Sequence, residues 1–275
     1  MRNLLLLAVL LGMAAPAFAQ EASFTPAATM ASPGAWVVHT MFRGSTFTAD
    51  GNLGVDGYLM EYNTMAQYGL APGVAVEGNL PVYNGSLGSN DPSKRILGTG
   101  LGNLEVDVKL RLLKVDFNAI DTLRVAATAG VQAPTATGDY HGEAVNPYLG
   151  SAMTWIAGRN GLGLSARWMF TTGSTFDPSF GTFTTADMLH TGASYLYRLA
   201  PAEYGHEHKE AWYGSVELQG IYETDGSAQV SLGPGILMEG TRFAFEMAVQ
   251  FSLWQQSTNR GDSTITAMMG LRFLF

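Results

Sequence analysis

Between residues 103 and 113 the chain alternates in a strict two-residue rhythm. Leu104, Val106, Val108, Leu110 and Leu112 fall on one parity, and Asn103, Glu105, Asp107, Lys109 and Arg111 on the other. A period of two puts each set on its own face of a β-strand, whereas a helical period would scatter both around the circumference. The rhythm recurs along the chain. Trp36, Val38, Thr40 and Phe42 alternate with His39 and Arg43; Tyr58, Met60, Tyr62 and Thr64 with Glu61 and Asn63; Val74, Val76 and Leu80 with Glu77 and Asn79. Further strands follow with Arg124, with Arg167, with His190, Ser194 and Arg198, with Glu217, and with Arg242 and Glu246 on the polar parity. Stretches 145–156 and 230–238 read as strands with weaker alternation. The final strand steps back in twos from Phe275 through Phe273, Leu271, Met269 and Ala267.

About twelve strands of roughly 9 to 13 residues result, the length a tilted strand needs to cross a bilayer. The chain therefore reads as all-β: a single transmembrane up-and-down antiparallel β-barrel of about twelve strands, occupying 35–275. Tight turns are expected at 70–72, 158–160 and 239–241. Longer loops rich in Gly, Ser, Asn and Asp are expected at 84–99, 134–144, 172–184 and 255–262. Two connections break this short-and-long pattern, 201–210 being long and 224–226 short.

Composition sharpens the picture. Hydrophobic residues make up 47% and charged residues only 14%, against roughly 25% charged in soluble domains. A lipid-facing surface needs no such charge. A net charge of −8 argues against a nucleic-acid partner, which wants basic patches. With no cysteine, disulfides and thiolate metal sites are excluded. Residues 1–19 have the layout of a cleaved export signal: Arg2, an apolar run over 4–11, and Ala17-Phe18-Ala19 as the small-x-small site. Residues 20–34, rich in Ala and Pro, form a periplasmic lead or a small plug. An exported barrel of this kind belongs in the bacterial outer membrane of a Gram-negative cell.

Short motifs extend the reading. Ser32-Pro33-Gly34 precedes the first strand, Tyr68-Gly69-Leu70 closes the second and Leu80-Pro81 ends the third. Gly100-Leu101-Gly102-Asn103-Leu104 opens the fourth, Ala133-Pro134-Thr135-Ala136-Thr137-Gly138 ends the fifth, and Gly270-Leu271 sits in the last. In this order they resemble the outer-membrane transporter family labelled "MetA-pathway of phenol degradation", over nearly the whole mature chain. That family usually has Gly-Asp-Leu where this chain has Gly102-Asn103-Leu104. The resemblance implies passive uptake of small hydrophobic or aromatic molecules. The terminal aromatic strand (Met269, Leu271, Phe273, Phe275) also resembles the signal that barrel-assembly machinery reads in such proteins.

Charge at the mid-membrane on the lipid side costs roughly 2–4 kcal/mol for Arg or Lys. Alternation therefore sends Arg43, Glu61, Glu77, Glu105, Asp107, Lys109, Arg111, Arg124, Arg167, Glu217, Arg242 and Glu246 into the lumen. There they either orient a permeating solute or fill the interior as a salt-bridged network, which makes a structural or surface-interaction barrel with an occluded lumen. A hydrolase would need a nucleophile and base in contact, but His190 and Ser194 stand four apart on one strand, roughly 13 Å. No catalytic residue, metal or cofactor is assigned. His206 and His208 read as a solvated loop, Arg260-Gly261-Asp262 and Asp50-Gly51-Asn52 as turn chemistry, and Gly98 to Gly102 as a strand lead without the helix a phosphate cradle requires. Trp36, Phe42, Tyr62, Tyr68, Trp168, Phe170, Tyr195, Tyr197, Trp212, Phe273 and Phe275 are expected in interfacial girdles.

Overall fold

A computed structural model describes residues 22–49, 55–89, 96–118, 120–203, 209–257 and 261–275. The expected signal segment 1–19, Asp50-Gly51-Asn52, the 206–208 histidine pair and Arg260 lie outside the described residues. Fifteen strands follow in chain order: β1 (Trp36–Ala49), β2 (Val55–Ala71), β3 (Val74–Ser89), β4 (Ile96–Leu101), β5 (Leu104–Asp116), β6 (Thr122–Ala133), β7 (Asn146–Ala157), β8 (Asn160–Met169), β9 (Thr175–Asp177), β10 (Thr182–Thr184), β11 (Met188–Ala200), β12 (Glu210–Glu223), β13 (Ala228–Gly240), β14 (Phe243–Gln256) and β15 (Gly261–Leu274).

β9 and β10 pair only with each other, and the other thirteen form one antiparallel sheet. The sheet closes because β1 pairs with β2 on one side and with β15 on the other, from Val37↔Leu274 to Ala49↔Gly261. β4 and β5 share one place in the wall. β4 pairs with Val82–Leu87 of β3 and β5 with Val74–Asn79, so together they make one interrupted strand. The result is a closed twelve-strand barrel. The interruption has a local cause. Pro81 has no N–H to offer, its carbonyl accepts from Gly102 N (2.8 Å), and a Cβ on Gly102 would press into the rings of Tyr83 and Pro81 (2.5 and 2.7 Å).

The start of β1, the end of β15 and the turns at 72–73, 158–159 and 241–242 gather at one end of the barrel, called here the terminal end; the other is the loop end. The tight turns rest on Gly73 and Gly158, at φ 82 and 59. Outward parity carries the exposed apolar residues, as in Val106, Val108 and Leu110 of β5 and Met269, Leu271 and Phe273 of β15. Among the described residues no helix is long and apolar enough to cross a membrane; this wall satisfies its backbone between strands, as a spanning barrel must.

Several expectations are corrected. Strands exceed the anticipated length, β2 reaching 17 residues and β3 16. Much of the expected loop 84–99 is therefore strand, as β3 runs to Ser89 and β4 starts at Ile96. The short connection at 224–226 is a tight turn closed by Gly226 N to Glu223 O (2.9 Å). Loop 172–184 contains the β9–β10 hairpin, which folds inward. Its Phe176 joins Phe47, Leu59, Tyr83, Leu87, Ile96, Ala136 and Tyr140 in a buried apolar cluster at the loop end, with Phe183 packed against it. The inward parity is thus polar at mid-height and apolar near the loops.

Candidate lumen site

The barrel encloses a cavity of about 1300 Å³. It runs from Trp36, Arg242 and Phe275 at the terminal end to Phe176, Asp177, Pro178 and Ser179 of the hairpin. Of the charges assigned inward by alternation, Arg43, Glu61, Glu77, Glu105, Asp107, Lys109, Arg167 and Arg242 line it. Glu217 and Glu246 are buried behind the lining, and Arg124 is buried in β6. Arg111 sits half-buried near the end of β5, where its N–H bonds Gly73 O (2.8 Å). Arg242 belongs to the exposed β13–β14 turn, not to a strand face.

Strand register decides which of these meet. Arg43 and Glu61 are direct cross-strand partners and form an ion pair at 3.3 Å. Arg167 reaches over the Tyr148 ring (4.9 Å) to Glu105 (2.9 Å), while Tyr148 Oη donates to Asp107 Oδ2 (2.8 Å). Gly130 makes room for this: a Cβ there would lie 2.5 Å from Asp107 Cβ and 2.6 Å from the Tyr148 ring. Gln67 donates to Glu77 (2.7 Å). Near the terminal end, Glu246 faces His39 from β1 and Arg272 from β15, the latter at 3.6 Å. Among the described residues the lining balances: Glu61, Glu77, Glu105, Asp107 and Asp177 are matched in number by Arg43, Lys109, Arg167, Arg242 and Arg272.

A polar node fastens the hairpin to the wall. Asn103, standing in the gap between β4 and β5, donates through Nδ2 to Thr175 Oγ1 (3.2 Å) and Gln132 Oε1 (3.4 Å), and accepts from Ala136 N (3.1 Å). Thr175 and Asn146 also donate to Gln132 Oε1, at 3.0 and 2.9 Å. An aspartate at 103 would keep the acceptor and lose both donors. Thr184 Oγ1 anchors the other strand of the hairpin to Glu223 (2.7 Å). Above the node, Tyr83, Tyr140 and Phe176 form a ring triad with centroids 5.0 to 5.4 Å apart. Burial pushes the Tyr140 hydroxyl up to about 12, with Asp139 adding to the shift, so it remains a neutral donor to Gly98 O (3.1 Å).

Residues 22–35 cross the interior near the terminal end. Ser23, Phe24 and Thr25 donate their N–H groups to Glu217 (2.8 to 2.9 Å), Ala28 N donates to Thr154 Oγ1 (2.9 Å), and Ala31 N to Gln67 Oε1 (2.6 Å). The segment meets the wall again at Gly69, whose O accepts from Gly34 N (2.8 Å). A Cβ on Gly69 would collide with the Ser32 carbonyl.

His190 lines the cavity, and Ser194 is buried against Gly163, four residues further along β11. Sequence reasoning named neither Arg272 nor Asp177 as a lumen charge. Arg272 was readable, since it alternates with Leu271 and Phe273. Asp177 carried no such signal, because only the inward fold of the hairpin brings it to the cavity. Most girdle aromatics point outward and exposed, including Trp36, Phe42, Tyr62, Tyr195 and Trp212. Tyr83, Tyr148 and Phe176 line the interior instead.

No family model and no curated protein matches the sequence. Among solved structures, the COG4313 outer membrane channel from Pseudomonas putida F1 is similar at 15% identity and TM-score 0.59, covering 94% of this chain and 100% of that one. Looser likenesses include the translocator domain of the autotransporter NalP from Neisseria meningitidis (13% identity, TM-score 0.46, covering 99% and 94%) and the CymD monoaromatic hydrocarbon channel (8%, 0.41, 90% of each). At these identities the likeness concerns the fold. The barrel architecture is one found in bacterial outer-membrane proteins.

Proposed function

We propose that the protein resides in the bacterial outer membrane and passes small molecules through its lumen without a cofactor. The observation that carries this reading is the continuous cavity of about 1300 Å³, ample for a drug-sized solute. A barrel serving only as a wall needs no such space, because side chains can fill narrow barrels. The P. putida protein of similar fold is described as an outer membrane channel, which supports the same role here.

The lining favours hydrophobic or aromatic solutes with a small polar group. Met41, Met65, Met169 and Met188 interleave with Tyr83, Tyr148 and Phe176, while Arg43 with Glu61 and Arg167 with Glu105 neutralise each other in pairs. The motif resemblance to the phenol-degradation transporters points to the same solute class. The test is single-channel conductance of refolded protein in planar bilayers, with and without small aromatic acids and phenols. Discrete openings blocked by an aromatic solute support the reading; a folded barrel that neither conducts nor passes these solutes into liposomes overturns it.

The inward hairpin and its aromatic cluster favour a second reading, a structural barrel occluded at the loop end. Under that reading the parent chain passes no solute, and flux appears only when the hairpin is removed. Assembly would draw on the barrel-assembly machinery through the terminal Phe275 strand.

A further inference from the structure

Glu217 is fully buried in the middle of β12, yet among the described residues its carboxylate bonds to no wall strand. It accepts from three successive backbone N–H groups, Ser23, Phe24 and Thr25, and from the Thr25 hydroxyl (2.9 Å). A carboxylate in a nest of this kind is a strong, directional tether. The wall is cut to fit the tethered segment. A Cβ on Gly192 would come 3.1 Å from Thr25 Cγ2 and 3.0 Å from Gln219 Nε2, the atom that itself donates to Thr25 Oγ1 (2.9 Å). Gly69 leaves the space that the Ser32 carbonyl takes. The described segment has no ladder of its own beyond the single Pro33–Gly69 bridge. It can therefore leave without breaking any strand pairing of the barrel.

The segment also shapes the cavity. Phe24 and Met30 line it, and the Arg43 guanidinium sits 5.9 Å from the Phe24 ring. We propose that residues 22–35 are a releasable strap latched by Glu217, which narrows the lumen at the terminal end and supplies an apolar wall that selects the solute. Its effect on flux rests on the passage reading above; the latch itself does not.

The absence of cysteine makes a single-site label clean. Ala27→Cys carries a nitroxide in the refolded full chain, in backgrounds with Glu217 intact, Glu217→Gln and Glu217→Ala, with folding verified by heat-modifiable gel migration. A matching barrel lacking residues 22–34 serves for flux alone. The label is expected to be immobile with Glu217 intact, partly mobile in Glu217→Gln and mobile in Glu217→Ala. Uptake of a solute series into liposomes should rise at least several-fold in Glu217→Ala, with preference for apolar over polar solutes falling toward that of the strapless barrel. A label already mobile with Glu217 intact, or still immobile in Glu217→Ala, overturns the latch. A released strap with flux and preference unchanged, while the strapless barrel does conduct, overturns its control of the lumen. If even the strapless barrel is silent, the passage reading falls and the label spectra still decide the latch.

Discussion

Phe176→Ala tests whether the inward hairpin is the closure at the loop end. The Phe176 ring is buried, with centroids 5.4 Å from Tyr83, 5.0 Å from Tyr140 and 5.6 Å from Phe183. Truncating a packed phenylalanine costs about 3–5 kcal/mol. If the hairpin must leave the cluster for the lumen to open, that loss falls on the closed state alone. The closed-to-open ratio then drops by roughly 10² to 10^3.5, at about 1.4 kcal/mol per factor of ten. The polar anchor is weaker: Thr175 makes neutral hydrogen bonds worth about 1 kcal/mol each, so Thr175→Ala should shift the ratio far less. The assay is open probability in single-channel recordings of each variant beside the parent chain. Closed dwell times unchanged in Phe176→Ala, or a larger effect from Thr175→Ala, would refute the reasoning that aromatic packing holds the hairpin in place.

Three further outcomes are expected. Val216→Arg places a cation on the exposed outer face of mid-β12 and should destabilise the barrel by about 2–4 kcal/mol in denaturant unfolding from liposomes. Gln250→Arg, on the cavity lining of β14, should cost well under half as much; equal costs would contradict the assigned faces. Arg167→Met leaves Glu105 with its Gln132 contact (3.2 Å) but no cation, and tips the balanced lining toward negative charge. The reversal potential in a salt gradient should move toward the potassium limit, and a move toward chloride would count against the pairing. Loss of Phe275, 75% exposed at the end of the last strand, should reduce the folded barrel recovered from the outer membrane of expressing cells while in vitro refolding into detergent proceeds. Equal recovery would remove the assembly role assigned to it.

Alternation revealed the wall because every strand meets the same pair of environments, hydrocarbon outside and a polar lumen inside. β5 and β15 announce both faces residue by residue. The weaker rhythm of 230–238 has its cause in Gly233-Pro234-Gly235, small or N–H-less positions within a strand that is nonetheless paired on both sides. Strand ends were misjudged where β3 runs on through Gly85, Ser86 and Gly88, because a strand projecting beyond the apolar belt keeps its hydrogen bonds while losing its hydrophobic parity. The inner furniture was the least legible. Phe176 and Phe183 sit among Thr, Ser and Gly and resemble loop chemistry until the hairpin turns inward. Glu217 looked like any lumen charge, since its partners are backbone N–H groups, which carry no side-chain signature. Asn103 stood out only as a departure from a familiar Gly-Asp-Leu, and its amide donors supply a physical use for that departure.

The seam of the barrel lies between β1 and β15, at opposite ends of the polypeptide. Trp36 and Phe275 exchange backbone hydrogen bonds there, at 3.1 and 3.0 Å. The strap runs directly into β1, so its final residue and the seam's first are neighbours in the chain. The strap therefore enters the lumen through the mouth beside this seam, and it can seat or leave there while the seam stays zipped. Closure of the wall joins the most distant positions in the chain and is the slowest contact to find; seating of the strap is a separate, local step.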